Sequence, residues 1–219
     1  MILDKRADLG HGDVKKLLFS LSVPTITSQI VNMLYNLVDR VFIGHMQPAE
    51  TVGKLALTGV GVCLPIIMVI SAFASLMAIG GAPRASIAEG AGESEKSERI
   101  MGNCLTMLVI TALVLTVLFE SFAEPLLLMF GASENTIGYA LDYMRIYALG
   151  TIFVQLTLGM NAYITAQGFA TVSMKTVLIG ALLNTALDPL FIFVLGLGVR
   201  GAALATVISQ AVSAVWVMT

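Results

Sequence analysis

The sequence predicts an all-α polytopic membrane protein of six transmembrane helices, and three observations carry that prediction. Of its 219 residues 57% are hydrophobic and 12% charged, whereas soluble domains average about half apolar and about a quarter charged. The mean hydropathy is +0.90. Apolar runs of about 20 residues, the length that crosses a roughly 30 Å hydrocarbon layer, recur six times between polar or Gly/Pro-marked breaks.

The spans in order are Leu17 to Gly44, Leu55 to Gly81, Ile100 to Phe122, Thr136 to Ala166, Lys175 to Gly196 and Val199 to Met218. Between them stand GHMQPAETVGK, a long charged loop AEGAGESEKSER, the loop AEPLLLMFGASEN, QGFATVSM and a tight GLGVRG. Residues 1–16 are polar and are expected to form a cytoplasmic tail, with 17–219 as the six-helix transmembrane unit. The first apolar run is too long for a signal-peptide core of about 7 to 15 residues, so the first helix is expected to stay in the mature protein. The last span reaches Thr219 without a flanking loop, which suggests a fragment or half-transporter whose second lobe is absent.

Orientation follows from Lys and Arg near the span ends. Lys5, Arg6, Lys15, Lys16, Arg84, Lys96, Arg99 and Lys175, eight of the twelve, fall on one side. Lys54 and Arg200 fall on the other, and Arg40 and Arg145 lie in or near spans. Both ends of the segment are therefore expected in the cytoplasm, in a cytoplasmic (inner) membrane. The net charge of -2 supplies no basic stripe, so no nucleic-acid partner is expected.

Polar residues at bilayer depth are expensive and commonly mark a pathway or site. In the first helix Gln29, Asn32, Asn36 and Asp39 are spaced 3, 4 and 3, which groups them on one face that must look inward. In the fifth, Asn184 and Asp188 are four apart and Pro189 follows, withholding a backbone donor from Thr185 and bending the helix beside the carboxylate. At about 1.5 Å per residue, Asp39 lies roughly 8 Å from Gly44 and Asp188 roughly 12 Å from Gly196. Tyr143 and Thr206 come out near 10 Å from the same side, which makes this level a plausible cation site. The competing reading is that these groups only tie helices together. Asp142 and Arg145 read as an interfacial pair. Gly201, Ala205, Ser209 and Ser213 form a small-residue stripe for close packing. Pro24 and Pro65 are expected to bend the first and second helices, as static bends or as hinges.

Cys63 and Cys104 lie in apolar runs without a partner at metal or disulfide spacing and read as buried hydrophobes. His11 and His45 are too isolated for a ligand cluster. No phosphate loop is present, since GHGDVKKL lacks its spacing, and no Ser/His/Asp set, H-E-x-x-H or paired-Cys motif suggests an enzyme. Transport driven by an ion gradient fits these residues better, with no cofactor beyond a coupling ion.

Four segments resemble one known family. They are SVPTITSQIVNMLYNLVDRVFIG, IAEGAGESEK, ITAQG and NTALDPLFIFVLGLGVRGAALATVISQ, together covering nearly the whole chain. They resemble the N-terminal six-helix lobe, bacterial type, of the multidrug and toxic compound extrusion (MATE) family, cation-coupled antiporters with two six-helix lobes. The resemblance implies that Asp39, Asn184, Asp188 and Thr206 match the family's N-lobe site for H+ or Na+, with Tyr143 joining the network. Gln29, Asn32, Asn36 and Asn161 then line the substrate cavity, although depth counting puts Asn161 near the cytoplasmic end. Pro24 and Pro189 serve as hinges, and no metal site is implied beyond Na+ at Asp39 and Asp188.

The implied function is export of amphipathic, often cationic organic compounds or drugs across the membrane, with the lipid bilayer and a C-terminal lobe as further partners. Two carboxylates close together in low dielectric repel when both are ionised, so the pair is expected to exchange a proton near neutral pH. Other readings are a lipid-linked oligosaccharide flippase, whose cavity would need cations such as Arg40 and Arg145, and a non-transporting membrane scaffold. A channel would need a polar lining across the whole bilayer.

Overall fold

The computed structural model describes residues 13–219. Among them no strand occurs, and the chain runs through α1 (Val14–Gly44), α2 (Lys54–Val62), α3 (Leu64–Gly90), α4 (Ser94–Ser121) and α5 (Ala123–Met129). It continues through α6 (Ile137–Leu149), α7 (Thr151–Ala166), α8 (Ala170–Pro189) and α9 (Val199–Met218), with wider π-type turns at Ala49–Gly53 and Leu190–Val194. Among the described residues five stretches are long and apolar enough to cross a bilayer, Val14–Gly44, Thr51–Gly90, Ser94–Ser121, Ala170–Val194 and Val199–Met218. Counting α6 and α7 as one broken span makes up to six, so the fold is that of a multi-pass membrane protein.

Several boundaries differ from the sequence reading, each for a local reason. Helix α1 begins at Val14 rather than Leu17, because the Asp13 carboxylate caps it by accepting from the Lys15 N–H at 3.0 Å. Lys5, Arg6 and His11, with the rest of 1–12, lie outside the described residues. The expected charged loop is mostly helix. α3 continues to Gly90 and α4 restarts at Ser94 after a three-residue turn in which Gly92 takes φ 77. The charged residues fit exposed helix because they pair one turn apart, Lys96 with Glu93 at 2.7 Å and Arg99 with Glu95 at 2.6 Å. Part of the expected AEPLLLMFGASEN loop also forms a helix, α5.

The expected fourth span, Thr136 to Ala166, is two helices meeting at 56°. The break falls at Gly150, whose N–H bonds to both Ile146 O and Tyr147 O, the tightened ending of a helix. A side chain at Gly150 would overlap Val207 of α9, so the corner depends on its absence.

Close approach of helices organises the bundle. α1 lies along α8, α8 along α9, and α3 along both α4 and α7. The stripe Gly201, Ala205, Ser209 and Ser213 is buried as its spacing predicts. A Cβ on Gly201 would come within 2.7 Å of the Phe191 carbonyl, and Ser213 Oγ donates to Thr176 O at 3.3 Å. Pro24 is buried inside α1, which continues through it as one helix. Pro65 occupies the first turn of α3, where its missing N–H costs little, so the discontinuity lies before it, at Cys63. Cys63 is buried with Sγ 3.4 Å from Ala140 O, Cys104 is half-buried, and no group of three metal-ligating side chains occurs among the described residues.

Candidate functional site

The packing of α1 along α8 brings Asp39 and Asp188 together. Asp188 is 0% exposed and Asp39 7%, and their carboxyl groups lie close enough to act on each other electrostatically. One turn before Asp188, Asn184 points the same way and donates through Nδ2 to Asp188 Oδ1 at 3.2 Å and to Thr206 Oγ1 of α9 at 3.4 Å. Thr206 Oγ1 itself donates to Ala202 O at 3.0 Å. Tyr143 of α6 reaches Thr206 and lies near Asp39, its ring stacked on Tyr147 with centroids 5.9 Å apart. Depth counting along separate helices thus pointed at residues that the bundle brings side by side.

Three oxygens of this cluster, Asp39 Oδ1, Asn184 Oδ1 and Asp188 Oδ2, are buried with no residue donating to them. All three are acceptors. Buried acceptors are costly unless a donor or a cation meets them, so the cluster suits a bound proton or a small hard cation. After Asp188, Pro189 cannot give Thr185 an N–H, and the helix widens into the π-type turn Leu190–Val194, with Leu195 N donating to Leu190 O at 2.9 Å. Such widenings recur at functional positions in helices.

Beside the acids lies a cavity of about 250 Å³ between α1, α7, α8 and α9. Asn184, Thr206 and Tyr35 line its part next to the acids, and Asn161, Thr165 and Ser173 also line it. Gln29 and Asn32 line it as expected. Asn36 does not: it is exposed, and its Nδ2 donates to Asn32 O at 2.6 Å. Ser28 and Tyr35, about 20° and 40° round the helix from Asp39 on the side away from Asn36, also line the cavity. The polar face is therefore broader than the one the spacing suggested, and Ser28 and Tyr35 belong to it.

Asn161 is better placed than depth counting implied. It lines the same cavity as Asn184, with Nδ2 donating to Ser173 O at 3.3 Å and Oδ1 without a partner. Asp142 and Arg145 do not pair; Arg200 at the start of α9 reaches Asp142 at 2.8 Å, because α6 and α9 pack together and leave Arg145 exposed. The sequence reading missed Tyr35, which lies near both acids and Gln210, and Gln155, fully buried with Nε2 on Ile70 O at 2.9 Å. A polar residue centred in an apolar span was the available signal for Gln155. Tyr35 gave none beyond its helical register with Asp39.

A bundle of bilayer-length helices enclosing a polar cavity, with a buried acid pair next to the cavity's Asn184, is the architecture of a membrane transporter domain. The MatE family profile matches residues 24–190, and the chain belongs to that family of membrane transporters. It is 30% identical over 203 residues to the "Multidrug export protein MepA" of Staphylococcus haemolyticus (strain JCSC1435), a match covering 93% of this chain and 44% of that protein. Among solved structures it superposes on "Crystal structure of MATE in the straight conformation" with TM-score 0.87 at 29% identity, covering 97% of this chain and 46% of that one. On "Crystal structure of MATE in the bent conformation" the TM-score is 0.85 at 29% identity, covering 94% and 45%. The chain thus spans about half the length of these relatives.

Proposed function

We propose that this chain is the N-terminal lobe of a cation-coupled antiporter that exports amphipathic organic compounds across the cytoplasmic membrane, with its N-terminus in the cytoplasm and a second lobe completing the cleft. The observation that carries this reading is the buried Asp39–Asp188 pair with three undonated acceptor oxygens. Packing accounts for a lone undonated acceptor such as Gln155 Oε1, whereas three gathered around two carboxyls suit a cycle that loads and releases H+ or Na+. The relatives named as multidrug export proteins support the substrate class, as does a cavity lined by Tyr35, amides and hydroxyls together with apolar Leu158 and Val177.

In this mechanism the cation neutralises the pair and draws Asn184 Oδ1 into its shell. That changes the contact between α1 and α8, and α1 can bend at Pro24 or α8 at Pro189 to reshape the cavity and release substrate. Each ion moved through a membrane potential contributes about 2.3 kcal/mol per 100 mV, enough to bias the cycle. Catalysis of a covalent reaction plays no part in it, and no cofactor is required beyond the coupling ion. The flippase alternative is disfavoured by the cavity lining, which contains neither Arg nor Lys; Arg145 is exposed and Arg40 lies outside the cavity.

The test is drug accumulation in cells making the full-length protein, wild type against Asp188→Asn, with proton and sodium gradients collapsed separately. Export by the wild type that fails with one gradient and fails in the variant supports the antiporter and names its ion. Undiminished export by Asp188→Asn would sink it.

A further inference from the structure

On the other side of the bundle, α3 and α4, joined by the turn at 91–93, line a groove of about 1010 Å³ that the transport reading does not use. Its wall is greasy and open: Leu76, Ile79 and Ile87 are 62%, 74% and 72% exposed and lie three to eight residues apart on α3, one long apolar strip. Gly80 lies on the same wall, and a Cβ there would meet nothing within 4 Å, so its bare backbone widens the groove. At the turn end three charged side chains line it, Arg84, Glu93 and Lys96. Glu93 and Lys96 cancel each other at 2.7 Å. Arg84 is exposed and forms no ion pair among the described residues.

Depth gives that guanidinium its meaning. Arg84 stands three residues past Gly81, the expected inner end of its span, about 5 Å along the helix at 1.5 Å per residue. A cation at that depth snorkels toward the headgroup level, and basic pockets between transmembrane helices hold acidic lipid headgroups. We infer that the α3–α4 groove is a binding site for one acidic phospholipid, its phosphodiester on Arg84 and an acyl chain laid along Ile79 and Leu76 over Gly80. Water is a poor occupant for the apolar strip, and a neutral lipid leaves the one uncompensated cation of the groove without a partner.

Native mass spectrometry of the full-length protein in detergent tests this, with phosphatidylglycerol and phosphatidylcholine of equal chain length as probes. The wild type is expected to retain phosphatidylglycerol about fivefold more than phosphatidylcholine, the scale of one juxtamembrane cation. Arg84→Gln loses that preference and Arg84→Lys keeps it. Gly80→Leu, which fills the groove from a position with room for a side chain, lowers retention of both lipids, and Lys15→Gln/Lys16→Gln, outside the groove, changes neither. Glycerophosphoglycerol, the headgroup without chains, does not compete. Equal retention of the two lipids by the wild type, as when a second lobe covers the groove, overturns the inference, and so does a preference that survives Arg84→Gln.

Discussion

The two sides of this bundle are held together by opposite means. Where α3, α4 and α7 meet, the contact is small and dry: Ala74, Ala82 and Ala85 are buried against Leu108, Met160 and Tyr163. Gly81 is pressed against Tyr163 and Cys104, and Gly159 against Leu108. Where α1, α8 and α9 meet, hydroxyls and amides surround a cavity, and its lining residue Asn184 donates to the buried Asp188. In a bilayer, helices gain little from burying apolar surface, so close backbone approach supplies most of the attraction. The dry side can therefore serve as a fixed frame. The dry side has unmet groups only singly, such as Gln155 Oε1 and Tyr163 Oη, whereas the wet side gathers three unmet acceptors around two carboxyls.

That contrast predicts a separation of stability from transport. The largest effect belongs to the dry side: Gly81→Leu, forced into Tyr163 and Cys104, should cost more than the usual 1–3 kcal/mol of overpacking, seen as loss of the monodisperse peak when full-length protein is sized in detergent. A normal elution profile and melting temperature would show the frame to be softer than its contacts imply. Next, Asn184→Ala removes donors to Asp188 and Thr206. Hydrogen bonds to charged groups contribute about 1.5–3 kcal/mol, so export should fall about tenfold or more while the elution profile stays normal; co-purification in low yield would instead assign Asn184 to the frame.

Smaller effects sharpen the boundary. Thr206→Val keeps shape and loses a neutral interhelical bond worth about 0.6 kcal/mol, so the half-saturating concentration of coupling cation should shift about threefold with maximal export little changed. Gln155→Leu deletes the bond to Ile70 O on the frame side and should lower the melting temperature slightly, by about the same 0.6 kcal/mol, without moving cation dependence. Asp142→Asn, at an exposed pair with Arg200, should change neither quantity, since exposed ion pairs contribute little.

Much of the site was legible in the sequence because a polar residue in a 20-residue apolar run has few reasons to be there. Asp39, Asn184, Asp188 and Thr206 stood out on that ground, and counting at 1.5 Å per residue put Asp39, Asp188, Thr206 and Tyr143 near one level. The register of α1 was harder to read. Spacing of 3 and 4 groups residues on a face about 80° wide, but which residues on and beside that face meet the cavity depends on how α1 lies against α8. Asn36 was consequently included and Tyr35 and Ser28 overlooked.

The sequence by itself determined the number of bilayer-length runs, the small-residue stripe on α9 and the depth of the acids, because hydrophobic length and helical rise are local properties of a chain. Only the tertiary structure decided that the run from Thr136 to Ala166 folds back at Gly150 against Val207, that Asp142 meets Arg200 rather than Arg145, and that Asp39 faces Asp188. Each of these is a contact between helices far apart in the chain, set by which backbones can approach most closely, and no period within one helix encodes it.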